Sequence, residues 1–188
     1  MKKIAVIFPG IGYHTDKPLL YYSTKIAMAN GYDIRKIKYP EYKVNLKDAS
    51  EKELLYFVNL ALETTKDAIK EVDFSIQSDI LFISKSIGTV IASAYARSVT
   101  GSVRHILYTP LEQTFEYADK GSGIAFNGTK DNWADCVSVR ELSLAADIPI
   151  TTIENANHSL ETGDVMLDLN NLCNIMKRSE AYIRESEE

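Results

Sequence analysis

Apolar residues along this chain follow two rhythms. Short unbroken runs, such as Ile4-Ala5-Val6-Ile7-Phe8 and Ile80-Leu81-Phe82-Ile83, alternate with longer stretches where apolar positions recur every three or four residues. An unbroken run is what a strand buried on both faces needs, because successive side chains point to opposite sides of the sheet. The spaced stretches have the period of a helix that lays one face on a core. The pattern predicts strands at Ile4–Phe8, Tyr32–Tyr39, Asp79–Ile83, His105–Tyr108, Gly123–Asn127 and Ile148–Ile153. It predicts helices from Asp16 and Pro18 through Ala29, from Ser50 to about Ile69, and from about Ile87 to Val99. Two more follow, from about Trp133 to Ala146 and from about Asp164 to Tyr182.

The punctuation agrees with this division. Pro9-Gly10 ends the first run, Asn30-Gly31 closes the first helix, and Ser50-Glu51-Lys52-Glu53 reads as a capping box opening the second. Six strands alternating with helices call for an α/β fold, a three-layer α/β/α sandwich with a mostly parallel sheet of about six strands. No linker or internal repeat divides the chain, so a single domain spanning 1–188 is expected.

Composition narrows the class of partner. With 188 residues, 45% of them apolar, the chain can bury about 70% of its unfolded surface, which excludes disordered and collagen-like classes. A net charge of −5 argues against a nucleic-acid or anionic-membrane partner. The first apolar run is too short for a secretory signal core, and no run approaches a membrane span, so a cytoplasmic protein is expected. Cys136 and Cys173 cannot build a disulfide framework and are expected to be free, buried thiols. His14, His105 and His158 are scattered, with no spacing that would hold a metal.

The chemistry concentrates where strands end. Ile83-Ser84-Lys85-Ser86-Ile87-Gly88-Thr89 joins a strongly apolar strand to a helix of small residues. A tight turn there lifts the Ser86 hydroxyl above the sheet edge, at the start of the helix. Strand and helix nearly touch at such a corner, so the residues two before and two after must be small, as Ser84 and Gly88 are. Serine alone is a poor nucleophile and needs a base held by a third group. Asp131 lies just after the strand ending near Asn127, and His158 just after the strand ending at Ile153. Both loops fall at the carboxyl edge, where open parallel sheets bind ligands. A helix N-cap for Ser86, a turn residue for Asp131 and a solvated His158 are the plain structural readings of the same letters. Asp135 is a second candidate for the acid, though the pattern puts it inside a helix. His14 and His105 are poorly placed for the base.

The Ser84-Lys85-Ser86-Ile87-Gly88 corner resembles the nucleophile elbow of the α/β hydrolases, with Ser84 in place of the first glycine. The order Ser86, Asp131, His158 is the family's order. The Gly-Thr-x-Asp and Ala-Asn-His-Ser-Leu-Glu phrases resemble those of small members of the dienelactone-hydrolase-like type. The resemblance runs from Ile4 to about Tyr182. It implies acyl hydrolysis without a cofactor, on a small-molecule acyl substrate, with an ester the default over a thioester or amide. The resemblance also assigns oxyanion donors: the N–H of Ile87 and one from the Gly10-Ile11-Gly12 loop, Ile11 before Gly12. Gly10 and Tyr13 are expected to meet substrate. The family's two preceding strands have no counterpart before Ile4, and only Thr109 to Ser122 occupies the place of a lid, so an open, shallow site is expected.

Competing readings remain. A hydrolase-fold protein that binds without catalysis, or an acyltransferase, would carry the same residues. Gly10-x-Gly12 after a first strand opens a dinucleotide fingerprint, but position 15 is Thr15, not the third glycine, and Pro9 stiffens the turn. Lys85 is expected to be a solvated lysine beside a turn. Tyr21 and Tyr22 read as either pocket or packing residues.

Overall fold

A computed structural model describes residues 2–40 and 50–185. Six strands form one sheet: β1 (Lys3–Phe8), β2 (Tyr32–Lys36), β3 (Asp79–Lys85), β4 (Val103–Tyr108), β5 (Gly123–Gly128) and β6 (Ile150–Ile153). Every pairing is parallel, in the order β2-β1-β3-β4-β5-β6. Helices α1 (Pro18–Ala29) and α6 (Val165–Arg184) cover one face. Helices α2 (Glu51–Ala68), α3 (Ile87–Ala96) and α5 (Cys136–Ala145) cover the other, and a single turn, α4 (Thr114–Tyr117), follows β4.

The unbroken apolar runs are explained by this double cover. Ile4, Val6 and Phe8 of β1 pack with Phe57, Ile80, Phe82 and Ile91, whereas Ala5 and Ile7 pack through the sheet with Leu20, Leu81, Ile83 and Ile106. Each fully buried side chain of this size contributes roughly 1.5–3 kcal/mol, so the central strands anchor the molecule. The capping box forms as read: the Glu53 N–H donates to Ser50 Oγ and the Ser50 N–H to Glu53 Oε2.

Several boundaries shift by two or three residues from the sequence pattern, and three differences bear on the site or its frame. The second strand stops at Lys36 rather than Tyr39, because its partner β1 ends at Phe8 and Ile37 makes the last backbone bond, to Ile7. The fifth helix starts at Cys136 rather than Trp133, since Asp135 caps it by accepting from the Ser138 N–H at 2.8 Å. Asp135 therefore lies outside the helix that the pattern gave it. α4 was not anticipated; four residues are too few to show a period. The thiols are also more open than expected, Cys136 half-buried and Cys173 exposed. Among the described residues, no helix is long and apolar enough to cross a membrane.

The strand order places the site. From β1 the chain moves to β2 on one side and later to β3 on the other. The loops after β1 and β3 therefore diverge to opposite faces and leave a crevice at the carboxyl edge.

Candidate active site

Ser86 occupies the turn between β3 and α3 with φ 57° and ψ −128°, a backbone region that costs a non-glycine residue of order 1–3 kcal/mol. Several bonds hold it there. Its N–H donates to the Tyr108 carbonyl at 2.9 Å, and its own carbonyl accepts from the N–H and hydroxyl of Thr89. Thr89 Oγ1 in turn lies 2.6 Å from Thr114 Oγ1, which ties the corner to α4. The demand for small neighbours is visible in space. A Cβ on Gly88 would collide with the Pro9 and Phe8 carbonyls, and one on Gly10 would come within 3.1 Å of Ser86 Cβ. Ser84 is fully buried and donates to the Ile106 carbonyl, so a hydroxymethyl group fits where the motif has glycine.

Asp131 and His158 arrive on loops locked to each other. A Cβ on Gly128 would overlap the Ala156 carbonyl, so the loops after β5 and β6 touch backbone to backbone. Lys130 N–H donates to Ala156 and Thr129 N–H to Ile153, while Asn155 N–H donates to Thr129 Oγ1. The result is a continuous line. His158 Nε2 lies 2.7 Å from Ser86 Oγ, and His158 Nδ1 lies 2.7 and 2.9 Å from the two Asp131 oxygens. Asp131 Oδ1 also accepts from the Trp133 N–H at 2.8 Å, and the carboxylate is 2% exposed. The Trp133 ring stacks on the His158 imidazole, centroids 5.5 Å apart. Burial lowers the His158 pKa, Lys85 adds to the lowering, and the hydrogen bond to Asp131 opposes it.

The loop after β1 closes on itself. Gly10 and Tyr13 exchange backbone hydrogen bonds, which leaves the Ile11 and Gly12 N–H groups at the tip without a hydrogen bond among the described residues. Gly12 adopts φ 70°, which favours glycine. Ile87 stands at the first position of α3, where a helix leaves its N–H unpaired. Ile11, Gly12, Tyr13, Ser86, Ile87 and His158 all line one cleft of about 410 Å³. Leu111, Glu112 and Gln113, from the short segment after β4, form a further wall. Gly10, expected to meet substrate, does not line this cleft; it packs against Ser86 and lines a neighbouring pocket with Ile11 and Gly12.

Two residues have places that sequence reasoning missed. Lys85 is 1% exposed rather than solvated, and its Nζ lies 5.0 Å from the Tyr13 ring centroid at the cleft wall. Strand alternation was the available signal: Leu81, Ile83 and Lys85 share a face of β3, and that face is buried. Trp133, taken for the start of a helix, belongs to the loop that carries Asp131. Tyr21 and Tyr22 are exposed and do not line the cleft.

No protein-family model and no curated protein matches the chain. Solved structures do. An alpha-beta serine hydrolase homologue from Coxiella burnetii aligns with a TM-score of 0.63 at 14% identity, over 92% of this chain and 84% of that one. Est1E from Butyrivibrio proteoclasticus with ferulic acid bound gives 0.67 at 13% identity, over 98% and 89%. A Xanthomonas campestris protein described as an a/b serine hydrolase without lid gives 0.57 at 12%, over 93% and 81%. The fold is that of the α/β hydrolases.

Proposed function

We propose that the protein is a serine hydrolase that cleaves a small acyl ester through a covalent acyl-enzyme. The observation that carries this reading is the hydrogen-bonded line from Ser86 Oγ through His158 to Asp131. Ser86 Oγ attacks the substrate carbonyl while its proton passes to His158 Nε2. Asp131 accepts from Nδ1–H, which selects the tautomer with a free Nε2 and stabilises the imidazolium that forms. The N–H groups of Ile87 and of Ile11 or Gly12 receive the oxyanion. The imidazolium gives its proton to the leaving oxygen, an alcohol departs, and the acyl group stays on Ser86. Water then attacks, losing its proton to His158, which returns it to Ser86 Oγ as the bond to the acyl carbon breaks and the carboxylic acid is released. No cofactor takes part.

Three further features favour the reading. The strain at Ser86 is of the kind that persists at functional sites. Among the described residues only the short segment 109–122 stands in the place of a lid, and its Leu111, Glu112 and Gln113 wall a cleft of about 410 Å³, which suits small acyl groups. A carboxylic acid bound to Est1E is the kind of product an ester hydrolase releases. Thioesters and amides use the same machinery; esters are the easiest of the three.

The test is intact mass after incubation with a fluorophosphonate, on native protein, Ser86→Ala and His158→Ala. One stoichiometric adduct on the native chain, lost in Ser86→Ala and suppressed in His158→Ala, is expected. No adduct on folded native protein would overturn the reading in favour of a protein that binds in the cleft without reacting.

A further inference from the structure

Lys85 has no part in the mechanism above, yet it adjoins the nucleophile and is almost wholly enclosed. Its stem passes against Gly10, whose Cβ position lies 3.5 Å from Lys85 Cγ. Its ammonium reaches the cleft wall, with the Tyr13 ring as its only close contact given by the structure. No hydrogen bond or ion pair satisfies it among the described residues.

The charges around it do not supply a partner. Asp131 is committed to His158 and to the Trp133 N–H. Glu161 acts on Lys85 only through space, and its own residue is exposed. Lys17 works the other way: its Nζ lies 5.3 Å from the same Tyr13 ring, it lines the same cleft, and it repels Lys85. Glu112 is the one carboxylate lining the cleft among the described residues, and it accepts from the Asp135 N–H on the far wall. Burial pulls the Lys85 pKa down to about 7 from 10.5, and the through-space attraction of Asp131 and Glu161 offsets that cost only in part.

A chain of net charge −5 thus brings two ammonium groups to one aromatic ring beside its serine. A buried cation without a counter-ion, open to a cleft on one side, is a site for an anion from solution. We propose that Lys85, with Lys17 and the Tyr13 ring, is an anion subsite, and that the substrate is a short ester carrying a carboxylate near its scissile carbonyl. The inference rests on the hydrolase reading for the words "ester" and "substrate", but the subsite itself does not. In the complex the carboxylate accepts hydrogen bonds from Lys85 Nζ, while Lys17 supplies a second positive charge at the mouth of the cleft. The Tyr13 ring faces both ammonium groups, and its hydroxyl is occupied in accepting from the Leu19 N–H at 3.1 Å.

Two measurements test this independently. The first needs no turnover: calorimetric titration of glutarate, and of neutral glutaramide, into native protein, Lys85→Met and Lys85→Arg. Native protein is expected to bind glutarate in preference to the diamide, with affinity falling about tenfold in Lys85→Met and largely retained in Lys85→Arg. Equal binding by native protein and Lys85→Met would overturn the subsite. The second compares kcat/KM for three p-nitrophenyl or aryl esters: a neutral butyrate, a glutarate monoester, and a butyrate with the carboxylate on its leaving group. Within each variant the anionic-to-neutral ratio is read, so a general effect of the substitution on Ser86 or His158 cancels. The ratio should exceed one in native protein and fall about tenfold in Lys85→Met; which anionic ester gains tells where the carboxylate sits. An unchanged ratio would refute substrate selection by Lys85. Lys85-dependent glutarate binding without fluorophosphonate labelling would overturn the hydrolase reading and leave the anion subsite standing.

Discussion

Asp79 and Lys85 are the first and last residues of β3, both buried, and the protein surrounds them in opposite ways. Asp79 receives a two-pronged hydrogen bond from Arg104, Nε to Oδ1 at 3.1 Å and an Nη to Oδ2 at 2.9 Å, together with the Tyr32 hydroxyl. Arg104 goes on to the Tyr182 and Ile183 carbonyls, so the cluster also fastens the end of α6 to the sheet. Lys85 has none of this. Backbone strain is divided in the same way. Of the five non-glycine residues with positive φ among those described, Ser86, Thr109, Asn155 and Leu160 lie in loops at the carboxyl edge, and only Asp147 lies elsewhere. One edge of the sheet is satisfied and holds the fold together. The other keeps unpaired N–H groups, a buried lysine with no hydrogen-bonded counter-ion among the described residues and strained turns, the features that a ligand or a transition state can complete.

The contrast can be broken from either end. The largest effect belongs to the reactive edge: Asp131→Asn should leave folding nearly intact and lower kcat by about 10³–10⁴, because the amide favours the wrong histidine tautomer. Burst and steady-state kinetics on a chromogenic ester would measure it, and a loss below tenfold would remove Asp131 from the line. At the satisfied edge, Arg104→Met removes the cation that pairs with the buried Asp79 carboxylate and should cost about 3–5 kcal/mol in urea unfolding, with kcat/KM of the folded fraction preserved. Lys85→Met should have the opposite sign, gaining about 1–4 kcal/mol at neutral pH by removing an unpaired buried charge.

The pH dependence of that gain follows from linkage. The folded-state pKa of Lys85 is near 7 and the ordinary value 10.5, so the unfolded chain binds more protons between them. The burden is therefore full below about 7 and shrinks as pH rises toward 10.5, and the two unfolding curves should converge in that window. A smaller effect concerns rate. His158 must be neutral to take the Ser86 proton, and its lowered pKa puts the acid limb of kcat/KM below the ordinary 6.5. Removing the repulsive Lys85 charge should move that limb upward by a fraction of a pH unit, read on the neutral ester.

Much of this was legible in the letters, for reasons that differ by element. The central strands β1 and β3, covered on both sides, write themselves as apolar runs, whereas the edge strands β2 and β6 are partly exposed and could be placed only by the turn residues and helical stretches that flank them. Ser86, Asp131 and His158 could be singled out because each follows the end of a strand. What escaped was whatever depends on a partner distant in sequence. β2 ends where β1 ends, a fact about pairing rather than about Tyr39. The pattern prefers Asp131 to Asp135 because it puts Asp135 inside a helix; Asp135 caps that helix instead, and the approach of the Ala156 loop to Gly128 is what brings Asp131 to His158. Lysine as a letter suggests water, and Lys85 was read so, although the period of two through Leu81 and Ile83 carried it inward. The tip of the 10–13 loop depends on the Gly10–Tyr13 bridge, which no spacing rule announces.

Trp133 is the chain's one tryptophan, and its ring lies against His158. Excited at the red edge of the indole band, where tyrosine is silent, the protein therefore emits from a single fluorophore in contact with the imidazole. An imidazolium quenches indole emission more strongly than the neutral ring does. The intensity of the native chain is thus a label-free titration of His158. The same signal should shift when Ser86 is acylated or an anion enters the cleft, so that occupancy, protonation and turnover share one optical channel.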